Sequence, residues 1–135
     1  MTKHFVRGLP ALMLVLALPF AASAADANGA ASKQIATAGA HAGMALGAAD
    51  LATTHAHLHH VVNCLVGPSG KGFDAKAADP CKGMGQGAIV DAKGDTAVEA
   101  RLHAALGDAQ QGLKATTLDA AHADAKKAME SLQAK

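Results

Sequence analysis

Apolar positions recur three and four residues apart in two stretches of the chain, which is the spacing of one face of an α-helix. Leu51, Leu58, Val62 and Leu65 follow it in the first stretch, and Leu118, Ala121, Ala125, Ala128 and Leu132 follow it in the second. Residues 32–66 and 96–135 are rich in Ala and Leu, which favour helix. Between them, residues 67–95 hold half of the chain's 14 glycines together with Pro68 and Pro80, and this segment reads as one long loop. Asp50 and Thr117 suit helix N-caps, and Thr116-x-x-Asp119 resembles a capping box. The pattern predicts helices near 32–47, 50–66, 95–113 and 117–133. Gly39, Gly43 and Gly47 form a small-residue stripe on the first of these, which invites close approach of another helix.

A weak internal repeat organises the four segments. Leu46, Ala48, Leu51, His55, Ala56 and Leu65 recur as Leu113, Ala115, Leu118, His122, Ala123 and Leu132, and His41-Ala42 has a counterpart in His103-Ala104. This is the signature of a duplicated helical hairpin. The expected fold is all-α: a four-helix up-and-down bundle with a long loop, 67–95, between its second and third helices. A two-helix hairpin that closes the same bundle as a homodimer is the alternative architecture.

Residues 1–24 have the makings of a cleaved secretory signal peptide. Lys3 and Arg7 supply the positive start, LPALMLVLALPF the apolar stretch and Ala22-Ser23-Ala24 the cleavage site. The apolar stretch is too short to span a bilayer, so the mature chain, residues 25–135, is expected as a single periplasmic domain with no membrane span. Loss of Lys3 and Arg7 takes the formal net charge from +1 to about −1. That balance argues against nucleic acid as a partner. So does the absence of Trp and Tyr, with Phe73 the one aromatic beyond the leader. In an oxidising compartment Cys64 and Cys81 read as one structural disulfide tying the loop to the preceding helix, worth about 3 kcal/mol.

The chemistry concentrates in THAHLHHVVNC, Thr54–Cys64. On a helix His55 and His59 share one side, while His57 and His60 share another, and both spacings can chelate. One helix cannot aim all four at one ion, so other segments must contribute. Within the bundle, His41 and His55 flank the first turn at similar heights, and His103 and His122 flank the second. Under the loop, Asp74 or Asp91 can be laid over His57 and His60, on the side of the helix that Cys64 pins. Imidazole suits copper, zinc, nickel and iron, whereas calcium and magnesium prefer oxygen. A c-type haem is excluded because CxxCH is absent. A b-type haem remains open, with Met44 or Met129 as possible ligands beside histidine. GPSGKG fails the P-loop spacing, and no serine lies in a G-x-S-x-G context.

Asp50–Asn63, DLATTHAHLHHVVN, resembles a pattern in a group of uncharacterised secreted bacterial small helical proteins: Asp-Leu at a helix start, H-x-x-H-x-x-N, then a Gly/Asp-rich loop. Here the pattern falls on Asp50-Leu51, His57, His60, Asn63 and Gly67. It continues through Phe73-Asp74, Pro80 and Gly85-x-Gly87, so the likeness runs from His41 to Asp91. Cysteines occupy the loop where those proteins often lack them. The resemblance singles out His57, His60 and Asn63 and implies no activity.

The expected function is non-enzymatic binding of a transition metal, copper or zinc, in the periplasm. His57 and His60 are the first ligands. His41, His55, His59, His103 and His122 are further candidates, and Asn63 and Asp74 would support the site from behind. A b-type haem electron carrier and a partner-binding helical module are the alternatives.

Overall fold

The computed structural model describes residues 22–135, with side-chain environments from Asn28 onward. The expected leader lies outside the described residues except for its last three positions. All regular secondary structure among the described residues is helical, with five helices and no strand. These are α1 (Ala22–Gly47), α2 (Leu51–Val66), α3 (Ala88–Asp91), α4 (Thr96–Gly112) and α5 (Leu118–Gln133). No helix among them is long and apolar enough to cross a membrane.

The helix starts follow local capping chemistry. The Asp50 carboxylate accepts from the Thr53 N–H at 2.8 Å, the Asp95 side chain from Val98 at 3.1 Å, and the Thr117 hydroxyl from Ala120 at 3.3 Å. Each satisfies a donor that the first helical turn leaves without a partner. The box expected from Thr116 and Asp119 is not what starts α5, because Thr117 takes the cap position.

The four long helices come from one chain. α1 packs on α2 and α5, and α4 packs on α5 and α2. Leu58, Val61, Val62 and Leu65 of α2 and Leu102 of α4 supply the bulk of the core. Facing them are fully buried alanines, such as Ala38, Ala42 and Ala45 of α1 and Ala121, Ala125 and Ala128 of α5. It is these alanines, rather than the glycine stripe, that let the helices approach. A Cβ at Gly39 or Gly43 would stand 3.8 Å from Leu132 Cβ and 3.6 Å from Met129 Sδ, ordinary contacts, and at Gly47 it would meet nothing. Among the glycines of the long helices, the one that packing requires is Gly112, where a Cβ would fall 2.7 Å from Leu58 Cδ1 and 3.3 Å from Asp124 Cβ.

The loop is folded and pinned in three places. Cys64, in the last turn of α2, is disulfide-bonded to Cys81. The side chain of Asn63, 1% exposed, accepts from the Asp74 N–H at 2.8 Å and donates to the carbonyls of Asp74 and Ala78 at 3.0 and 3.2 Å. Gln34 of α1, equally buried, accepts from the Gly87 N–H at 3.0 Å and donates to Asp91 Oδ2 at 2.6 Å. The return of the chain to the end of α2 is a backbone-on-backbone contact. Gly67 (φ 71°) and Gly87 (φ 115°) adopt conformations that L side chains avoid. A Cβ on Gly67 would collide with the carbonyl of Gln86. The short helix α3 lies inside the segment expected to be irregular throughout, held there by Gln34.

Candidate metal centre

The turn between α1 and α2 is short, so the two helices run back along each other and residues equidistant from it stand level. His41, six residues before the end of α1, meets His57 and His60 of α2. His41 Nδ1 lies 3.2 Å from His57 Nδ1 and 3.3 Å from His60 Nδ1. One nitrogen from each of the three rings falls within 4.8 Å of the other two. The rings of His57 and His60 stand edge-on to one another at 83°, and those of His41 and His60 at 85°. All three side chains are partly buried.

Protons alone do not satisfy this arrangement. An imidazole nitrogen offers either one N–H or one lone pair in the ring plane. His41 Nδ1 therefore pairs with one of its two neighbours and confronts the other. A cation among the three nitrogens would satisfy all of them at once. The spacing fits: with metal–imidazole bonds of 2.0–2.1 Å, the edge of a tetrahedron is about 3.3–3.4 Å. The two shortest separations therefore match edges of a zinc- or copper-sized coordination sphere.

The electrostatics favour the neutral, ligating form. Burial, then the nearby rings of His60 and His57, hold the His41 pKa below the usual imidazole value. Burial, then His57 and His59, do the same for His60. Both rings have a lone pair free for a metal at neutral pH.

The other histidines are placed elsewhere. His59 Nδ1 stands 3.3 Å from Asp74 Oδ2, with both side chains about a third exposed. The Asp74 carboxyl is held below the usual carboxylate range, chiefly by the Lys76 N–H and further by His59. His122 Nε2 lies 3.0 Å from the Ala48 carbonyl, beyond the end of α1. His103 is exposed on α4. His55 lies three and seven residues before Leu58 and Val62, so it points along the core stripe. Its Nε2 is buried without a hydrogen-bond partner among the described residues. The expected inward ring of His41, His55, His103 and His122 is thus not what the packing brings together.

Asn63 and Asp74 serve the loop more directly than the histidines: Asn63 anchors its backbone, and Asp74 ties it to His59. Gln34 and Asp91 form a second anchor that sequence reasoning passed over. The signal was present, because Gln34 falls on the same four-residue spacing as the buried Ala38 and Ala42. A polar residue on a buried stripe must find partners.

Compared with known protein families, with curated proteins and with solved structures, the chain gives no match.

Proposed function

We propose that this is an exported, periplasmic, non-enzymatic protein that binds one transition-metal ion, copper or zinc, through His41, His57 and His60. In this reading residues 1–24 are a cleaved signal peptide and the four long helices form an up-and-down bundle. The likeness of the H-x-x-H-x-x-N segment to secreted bacterial helical proteins reflects a shared helix-and-loop design. The observation that carries the reading is the convergence of three Nδ1 atoms at separations of 3.2 and 3.3 Å. Helix α2 supplies two ligands one turn apart, α1 supplies the third, and the pinned loop stabilises the C-terminal half of α2. Neutral imidazole suits copper and zinc at periplasmic pH, and bound metal is released as protons compete for the ligands.

The test is elemental analysis of untagged protein isolated from a native periplasm, with the His57→Ala/His60→Ala and His103→Ala variants beside it. One tightly held copper or zinc per chain, lost in the double variant and kept in His103→Ala, is the expected result. Equal metal content in all three proteins would show scattered surface histidines at work and end the proposal.

A further inference from the structure

Several side chains that could otherwise close the metal's coordination sphere are engaged elsewhere. The Asp74 carboxylate spends Oδ2 on His59 and accepts the Lys76 N–H on Oδ1 at 2.9 Å, while its backbone is locked by Asn63. Asp91 Oδ2 accepts from both Gln34 Nε2, at 2.6 Å, and the Gln86 N–H, at 2.9 Å. His59 is turned to Asp74 and His122 to Ala48. The sulfur of Met84 takes a contact from the Thr37 hydroxyl at 3.7 Å, one turn from His41. Among the described residues, no fourth histidine, cysteine or carboxylate joins the cluster.

Resting on the metal-binding reading above, we infer that the ion is held by three imidazoles alone and keeps one exchangeable coordination position for a small exogenous donor. Closed four-ligand sites hold metal for structure, and three-ligand sites admit water or another ligand at the fourth vertex. The ligand class follows from the site. It must be a compact donor that reaches an ion flanked by three partly exposed rings, such as a small anion or a free imidazole. The open vertex also gives the ion a way in and out by associative exchange. An incoming chelator binds there first, and the imidazoles are displaced one at a time. No electron is transferred, and each leaving imidazole keeps its lone pair or takes up a proton from solvent.

The experiment uses the full mature chain loaded with cobalt(II), whose visible bands report coordination number and ligand type. Sodium azide, and separately imidazole, is titrated in, and cobalt stoichiometry is measured in parallel. The expected result is one cobalt per chain and a saturable band shift with one azide bound per cobalt. Asp74→Asn should show the same shift, because Asp74 is not a ligand. One cobalt per chain with bands unmoved by either donor would mean that a protein ligand closes the site. That would overturn this inference while leaving the metal site standing. No stoichiometric cobalt binding would overturn the metal-binding reading, and this inference with it.

Discussion

Replacing Asn63 with alanine separates its structural role from any contribution to metal binding. The side chain is 1% exposed and makes three hydrogen bonds, all to loop backbone: one accepted from the Asp74 N–H, and two donated to the carbonyls of Asp74 and Ala78. A hydrogen bond within a folded protein contributes about 0.5–1.5 kcal/mol net, and partners left unsatisfied in a buried place add to the loss. Asn63→Ala should therefore cost about 2–4 kcal/mol of unfolding free energy, measured by urea titration followed by far-ultraviolet circular dichroism. The N–H of Asp74 should also lose its protection from hydrogen exchange. Metal stoichiometry should hold, because no atom of Asn63 is in the histidine cluster. Asn63→Asp sharpens the test. It keeps the acceptor for Asp74 N–H but sets a negative oxygen against two carbonyls, so at neutral pH it should cost more than alanine. That excess should shrink as acidification protonates the new carboxyl, which can then donate again. A loss below about 0.5 kcal/mol for Asn63→Ala, within the range of an ordinary surface substitution, would refute the anchoring argument.

Three further outcomes are expected. Gly107, exposed inside α4 with open space around its Cα, should tolerate alanine with a gain of about 1 kcal/mol, whereas Gly112→Ala, which drives a methyl into Leu58, should cost about 1–3 kcal/mol in the same titration. For the metal-free protein, the folded-state pKa values of His41 and His60 lie below the unfolded value near 6.5. The unfolded chain then binds more protons, so stability should be full above that pH and decline as pH falls through the folded values. Calorimetric melting temperatures across that range check it, and a decline absent below pH 6.5 or undiminished in His41→Ala/His60→Ala would contradict it. Reduction of the Cys64–Cys81 disulfide should lower unfolding free energy by about 3 kcal/mol while the helical signal persists in water, since Asn63 and Gln34 still hold the loop.

Much of the fold was written locally. The positions of α2 and α5 follow from apolar spacing and from Asp50 and Thr117 at their starts, interactions that span only a few residues. The pairing of Cys64 with Cys81 followed from there being two cysteines and from the expectation of an oxidising compartment. That His57 and His60 share one side of their helix needs only helical geometry. The third histidine was a tertiary matter. Height along the hairpin does not separate His55 from His57, which differ by about 3 Å of helix rise, but they differ by about 200° in direction. Which direction faces α1 depends on how α2 divides its surface between the core, taken by the His55–Leu58–Val62 stripe, and its neighbour. Only packing of α1 against α2 makes that division, and it selects His41, His57 and His60. The loop was likewise beyond local reading. Its order comes from Asn63, Gln34 and the Gly67–Gly87 contact, which join residues 11 to 57 positions apart. Periodicity marks Gln34 as buried but carries no record of its partners or of those of Asn63, because these contacts satisfy polar groups far apart in the chain. Local spacing thus determined the helices and paired two of the histidines, and tertiary packing brought the third to them and set the loop alongside.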